Sequence, residues 1–340
     1  MQLKTAFPLQ TVTTFRVEAV AERYVRFDAE AEISDYLNHH RLDRRRHLVL
    51  GGGSNLLFVV DFNGTILHPA FKGVTVVEKS RHHLKVKAMA GETWDDLVGL
   101  AVSNGWGGIE NLSLIPGSVG ASVVQNIGAY GVEVAAVIDH VEAIAISDGR
   151  RILFSPRECG FAYRTSNFKG PWQGSYIVTA VVFNLTRRPN FHLDYPGVKA
   201  AVDKLGRTSL QTVRQAIVAI RQRKLPNPAE IGNAGSFFKN PVVDGNTLDR
   251  LADRFPDLPR YHQGGDRFKL PAGWLIERCG WKGRRLGRAA VHDRHALVLI
   301  NLGGATGQEI LELSERIQGT VRDRFGIDLE REVQVIAQGS

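Results

Sequence analysis

The sequence is poor in sulfur, with two cysteines and two methionines in 340 residues. Cys159 and Cys279 lie far apart, and no second cysteine or histidine stands at ligand spacing beside either. That excludes a disulfide framework and a zinc knuckle, and leaves two inert thiols. No apolar run approaches the roughly 18 residues that a membrane-spanning helix needs. The opening Met1-Gln-Leu-Lys-Thr-Ala-Phe-Pro has no apolar stretch leading to a small-residue cleavage site, so no secretory leader is read and the cytoplasm is the expected location. Internal repeats and low-complexity segments are lacking. His292-Asp-Arg-His295 has helical ligand spacing, but a strand-like run follows it and no third ligand is in view, so no metal is expected.

What remains is an ordinary globular composition, 43% apolar and 23% charged. A chain this long exceeds most single cores, so two or three compact units are expected. The net charge of +8 raises nucleic acid as a partner. Its distribution argues against one. Basic residues are scattered, and the short clusters Arg41-Leu-Asp-Arg-Arg-Arg46 and Lys282-Gly-Arg-Arg285 have no interleaved aromatics. A diffuse positive field suits a small substrate carrying several anionic groups.

Along the chain, 15–183 reads as short strands joined by Gly-rich turns, with one clear helix. Strands are expected at His47-Leu-Val-Leu50, Leu56-Leu-Phe-Val-Val60, Thr75-Val-Val77, Leu84-Lys-Val-Lys-Ala88, 137–145 and 177–183. The helix opens on a capping box, Thr93-Trp-Asp-Asp96, carries Leu97, Leu100 and Ala101 on one face and stops at Gly105. The pattern loosens over 187–207 into a linker. A helix from Ser209 then places Val213, Ile217 and Ile220 on one face and ends before Pro226. A last helix, opened by Thr306-Gly-Gln-Glu309 and closed by Gly326, buries Ile310, Leu313, Ile317 and Val321. The run 328–336 alternates as a strand should. The fold class is α+β.

Two glycine segments stand out. Gly51-Gly-Gly-Ser-Asn55 follows a strand and offers several main-chain amides to a phosphate, or it is a simple tight turn. It is no dinucleotide fingerprint, because Leu56 stands where a glycine is needed and a strand-like run follows instead of a helix. Ile115-Pro-Gly-Ser-Val-Gly-Ala-Ser-Val-Val-Gln-Asn-Ile-Gly-Ala-Tyr-Gly131 is denser. It suits a flat ring or a diphosphate, with Gln125 and Asn126 reading ring heteroatoms, or it is a structural crossover. Ser236, in Gly235-Ser-Phe-Phe-Lys-Asn-Pro241, has no nearby histidine or aspartate to activate it as a nucleophile. A proton-donor role fits it better, beside the bland role of a capping serine. Glu330 and Glu332 share one face of the terminal strand, which is either an exposed acidic face or a carboxylate delivered into a cleft. Arg164, in Gly160-Phe-Ala-Tyr-Arg-Thr-Ser166, is a bidentate anion partner or one of many surface arginines.

Together these segments resemble the UDP-N-acetylenolpyruvoylglucosamine reductase family over nearly the whole chain. The most specific pieces are 115–131, Tyr163-Arg164, Gly232-Asn-Ala-Gly-Ser-Phe-Phe-Lys-Asn-Pro241 and Ala272-Gly-Trp-Leu-Ile-Glu277. The resemblance implies an FAD-binding unit of two subdomains over 15–188, of the vanillyl-alcohol-oxidase type. A substrate-binding unit would follow over 206–326, and a terminal strand over 327–340 would carry the catalytic glutamate. It implies noncovalent FAD on Gly51, Gly53, Ser54, Asn55, Pro116, Gly117, Ser118 and Gly120. Gln125, Asn126, Gly128, Ala129, Tyr130, Gly131 and Ile177 would complete that site.

By the same resemblance NADPH reduces the flavin and leaves, and the enolpyruvyl UDP-sugar enters. Hydride passes from flavin N5 to C3, Arg164 and Glu332 bind and polarise the carboxylate, and Ser236 protonates C2. Tyr195 would close over the substrate, with Lys224, Asn240, Lys269 and His295 contacting it. A monomer with a small-molecule substrate, and with no nucleic acid or membrane partner, is implied. Two other classes share parts of the pattern: a flavoprotein oxidase of the same N-terminal fold, and a basic nucleotide- or nucleic-acid-binding protein. Arg16, Arg331 and His295 depart from the family pattern, which favours glycine, proline and in some members glutamine there.

Overall fold

The computed structural model describes residues 1–337. A four-stranded sheet orders Gln2–Pro8, Val20–Phe27, Phe62–Pro69 and His47–Val49, antiparallel at its first pair and parallel thereafter. A five-stranded antiparallel sheet orders Arg151–Phe154, Ile138–Ala145, Tyr176–Thr186, His83–Met89 and Val74–Lys79. The continuous apolar run in Tyr176–Thr186 has its reason in that order. The strand is central and buried on both faces: Val178, Val181 and Phe183 enter one core, and Ile177 enters another with Val25 and Phe27 of the first sheet and Ile33 of the helix Ala31–His39.

The helix Trp94–Ser103 lies where the sequence puts it and ends at Asn104, before Gly105 at φ +74°. Its capping box does not form. Thr93 is the N-cap, but its hydroxyl accepts from Lys72 Nζ at 3.4 Å, and the Trp94 amide donates instead to Gly117 O at 3.0 Å. Leu100 is exposed, and Leu97, Val98, Ala101 and Val102 form the buried face. The boxes Ser209/Thr212 and Thr306/Glu309 do form, at the starts of Leu210–Lys224 and Gly307–Phe325.

Helix Leu210–Lys224 packs on the first half of the chain. Arg214 grips Asp95 of the helix Trp94–Ser103 with two hydrogen bonds of 2.6 and 2.9 Å, and Leu210 joins the core of the five-stranded sheet. The C-terminal unit holds a sheet ordered Gly232–Ser236, Val298–Asn301, Ala289–Val291 and Arg285–Leu286. Its helices Ala272–Arg278 and Gly307–Phe325 share one core with Phe15, Leu50, Leu57 and Phe58 of the first sheet's region.

The terminal strand is shorter than its alternation suggests, Gln334–Ile336, and it pairs in parallel with Leu56–Phe58, the strand next to the first glycine loop. Residues 328–330 carry no regular structure, Arg331 bridges Phe238, and the chain bends at Glu332 and Val333 before pairing. Sequence position 332 is thereby returned to sequence position 55.

Candidate active site

The two glycine segments touch. A Cβ on Gly51 would lie 2.6 Å from Ser118 Oγ, and one on Gly52 the same distance from Gly117 Cα, so neither loop tolerates side chains at the contact. Gly53 at φ +60° and Gly117 at φ +126° adopt the left-handed conformation from which anion-binding main-chain nests are built. Ser54 Oγ donates to Pro116 O at 3.0 Å and ties one loop to the other. Together they wall a cavity of about 660 Å3, whose surface also includes Gly120, Gln125, Phe168, Lys169, Tyr176 and Val178.

A second cavity, about 120 Å3, shares the walls Ser54, Asn55, Pro116, Gln125 and Ile127 with the first and adds Arg164, Arg221, Ser236 and Glu332. Three residues far apart in the chain meet there. Glu332 is held by its own main chain: its N–H donates to Phe237 O at 2.8 Å, and its C=O accepts from Asn55 Nδ2 at 3.1 Å and Lys169 Nζ at 2.9 Å. Asn55 Nδ2 also donates to Gln125 Oε1. The Glu332 carboxylate accepts from Arg164 Nε at 3.1 Å and is 13% exposed, whereas Glu330, paired with Lys239, is 71% exposed. The bend between the two separates neighbours that strict alternation would leave on one face. Burial pushes the Glu332 carboxyl above its ordinary value, against the pull of Arg164, Lys169 and Lys239.

Arg164 sits at φ +57°, a backbone conformation that costs a non-glycine residue on the order of 1 kcal/mol or more. It is kept there by Nη2 donating to Gly128 O at 2.6 Å and by the Glu332 pair, with its guanidinium 5.3 Å from the Tyr163 ring centre. A Cβ on Gly128 would meet Arg164 Nη1 at 2.8 Å. Ser236 ends its strand after Gly235 at φ +67°, a turn held by the Gly235 amide donating to Asn233 Oδ1 at 2.9 Å. It lines the small cavity, and no histidine or aspartate is bonded to its hydroxyl among the described residues.

The remaining expected contacts divide. Gly51, Gly53, Ser54, Asn55, Pro116, Gly117, Ser118, Gly120 and Gln125 line the large cavity. Asn126 does not. Its amide is consumed by Glu133 and Ala162 O at 2.8 and 3.1 Å, and its oxygen by the Ala135 amide. Ile177 points its side chain into the core behind the cavity, and Val178 is the wall. Ala129 and Gly131 lie in the hairpin Gly128–Ala129 with Val132–Glu133. Tyr130 packs edge-on against Tyr195, ring centres 5.2 Å apart. Lys269 Nζ stands 4.4 Å from the Tyr163 ring centre. Asn240 bonds Tyr163, and its Oδ1 accepts from the Ala272 amide at 2.9 Å at the start of Ala272–Arg278. Lys224 belongs to another group, beside His295. Burial first and the Lys224 charge next lower the His295 imidazole to about 4, with Nδ1 unpartnered among the described residues.

Arg221, Lys169 and Gln334 wall the two cavities without having been singled out in the sequence. The one available signal was Lys169's place five residues after Arg164. Arg16 adopts φ +53°, which is why glycine suits that position, and Arg331 bonds Ser314 and Glu315 away from both cavities.

Glycine loops fit for a diphosphate, beside a broad cavity with apolar walls fit for a flat ring, define an FAD-dependent oxidoreductase with a separate substrate unit. The family comparison finds the description "FAD binding domain" over residues 21–155 and "UDP-N-acetylenolpyruvoylglucosamine reductase, C-terminal domain" over 227–336. A reductase of that name from Bacteroides fragilis is 44% identical over 334 residues, 98% of this chain and 100% of the relative. One from Burkholderia ambifaria is 45% identical over 329 residues, 96% of this chain and 94% of the relative. The solved reductase from Thermus caldophilus superimposes with a TM-score of 0.69 at 25% identity, covering 99% of this chain and 100% of that one. The chain belongs to the UDP-N-acetylenolpyruvoylglucosamine reductase family.

Proposed function

We propose that the chain reduces UDP-N-acetylglucosamine enolpyruvate to UDP-N-acetylmuramate with NADPH, in peptidoglycan precursor synthesis, and that FAD occupies the large cavity noncovalently. The observation that carries this reading is the meeting of Ser236, Arg164 and Glu332 in a small cavity that shares five wall residues with the large one. When bound, the flavin supplies the hydride, taken from NADPH and passed to C3 of the enolpyruvyl group.

The chain's own residues do the rest. Arg164 offers its planar donors to the substrate carboxylate and offsets the charge that builds toward it. Glu332 accepts from Arg164 Nε and fixes the guanidinium, so that the pair binds and polarises that carboxylate together. Ser236 gives its proton to C2, a step that needs a placed hydroxyl and no activating base. Main-chain amides of the 51–55 and 116–120 loops receive the diphosphate of FAD, and Gln125 stands between the cavities. Tyr195, Lys269 and Asn240, and the separate group of Lys224 and His295, contact the UDP-sugar.

The FAD-binding unit spans 15–188 and the substrate unit 206–326, whose first helix Leu210–Lys224 is fastened to the FAD-binding unit through Arg214 and Asp95. The protein acts as a monomer in the cytoplasm. Among the described residues no helix is long and apolar enough to cross a membrane.

Purified protein is expected to be yellow, bleached by NADPH, and recoloured by the enolpyruvyl UDP-sugar much faster than by air. Recolouring by air at an equal rate would identify an oxidase. Ser236→Ala should leave bleaching by NADPH almost intact and slow recolouring by substrate roughly a hundredfold or more. Equal slowing of both steps would remove Ser236 from the donor role.

A further inference from the structure

Lys169, in the wall of the large cavity, is a cation that the mechanism above leaves without work. It lines the large cavity next to Phe168 and Gly170, and its ammonium makes one hydrogen bond, to the Glu332 carbonyl at 2.9 Å. No carboxylate lies within salt-bridge distance of it among the described residues, although Lys239 and Arg164 nearby are both paired, with Glu330 and Glu332. A partly buried ammonium has three donors, and two of these are free to face the cavity. Holding a charge there without a counter-ion is costly. Desolvation accordingly lowers the Lys169 ammonium below its ordinary value, with the Glu332 charge opposing that shift.

We propose that Lys169 is a further catalytic residue, whose ammonium supplies the counter-charge for the negative charge that the bound flavin acquires on reduction. The proposal rests on the reading of the large cavity as the FAD site. Hydride is one proton and two electrons, so its arrival from NADPH adds one negative charge to a neutral ring, and the cation already in the wall requires no rearrangement to meet it. The diphosphate end has its own neutral main-chain donors in the glycine loops. Lys169 Nζ meets Asn55 Nδ2 on the Glu332 carbonyl, so it stands at the end of the first glycine loop, where the large cavity comes nearest the residues Arg164 and Glu332 of the small one.

The test is the flavin midpoint potential, measured on the FAD-loaded protein by reduction against a reference dye, together with the dissociation constant for oxidised FAD. Lys169→Met should weaken binding of reduced relative to oxidised cofactor about tenfold or more, which for a two-electron couple is a fall of about 30 mV or more. Lys169→Arg, which keeps the charge, should restore most of it. The affinity for oxidised FAD should change little in either variant. A potential unmoved in Lys169→Met overturns the proposal. So does a loss of oxidised FAD affinity without a change in potential, which would assign Lys169 to the diphosphate. A merely structural tether of Glu332 would slow recolouring by substrate and leave the potential alone, and that too overturns it. Failure of the wild-type protein to bind FAD would instead remove the reading of the cavity itself.

Discussion

Glu330 and Glu332 differ by two positions and by almost everything else. One is a solvent-exposed partner of Lys239; the other is enclosed beside Arg164, with both its main-chain polar groups engaged. Glu332→Gln is therefore expected to slow recolouring of the reduced protein by substrate about a hundredfold while sparing bleaching by NADPH. Glu330→Gln should change either rate less than about twofold, because exposed ion pairs contribute little. Stopped-flow absorbance of the flavin reads both, and the reverse ranking would mean that the wrong carboxylate has been assigned. Arg164 shows the same economy at the level of the backbone. A strained φ is tolerated where two hydrogen bonds hold a guanidinium against a carboxylate.

Among the elements, the helix Gly307–Phe325 and the strand Leu56–Phe58 have the tightest mutual constraint. Gly307 lies in the helix's first turn, and a Cβ there would come 1.9 Å from Phe58 O and 2.7 Å from Val59 Cα, both main-chain atoms. Gly307→Ala should cost about 1–3 kcal/mol of stability, the ordinary penalty of overpacking. In the same helix Gly319 has nothing within 4 Å of the added carbon. Gly319→Ala should stabilise by about 0.5–1 kcal/mol through helix propensity. Urea unfolding of the pair decides it, and similar values for the two would refute the contact. The unformed box at Thr93 belongs to this scale as well. The Gly117 carbonyl satisfies the Trp94 amide, so the helix start is stapled to the second glycine loop and not to itself.

For the molecule as a whole, two histidines make stability depend on pH. Burial pulls His68 and His295 from 6.5 down to about 4. His68 also has Nδ1 within 2.6 Å of the Tyr24 hydroxyl. Between pH 6.5 and about 4 the unfolded chain binds protons at these sites that the folded chain refuses, so stability falls as pH falls through that window. Above pH 6.5 the effect vanishes, both states being neutral. Thermal unfolding midpoints of wild type and of a His68→Gln, His295→Gln variant, taken across the window, should show a shallower decline in the variant. Parallel curves would mean that the two imidazoles titrate alike in both states. The diffuse net charge of +8 acts on this scale too, because a positive field draws in a diphosphate sugar and a phosphorylated nicotinamide cofactor alike.

By itself the sequence determined most of the local structure and the membership of the family. Helix starts at Ser209 and Thr306, the stop at Gly326, the strand cores and the glycine segments are written in nearest-neighbour chemistry, which the chain carries wherever it folds. The motifs around Ser236, Arg164 and Glu332 were legible as motifs. Their meeting was not, because residues separated by tens of positions are joined only by pairing and packing. The parallel pairing of Gln334–Ile336 with Leu56–Phe58 returns the end of the chain to the first glycine loop and lowers Glu332 into the cleft. Alternation could not distinguish Glu330 from Glu332, since the bend that separates them answers to Phe237, Asn55 and Lys169. For the same reason Asn126 and Ile177 read as cavity residues from their neighbours, while in three dimensions one amide is already spoken for and the other side chain faces a core. Lys169 stayed silent in the sequence because one lysine among many gains meaning only from its place in the cavity wall, on the Glu332 carbonyl.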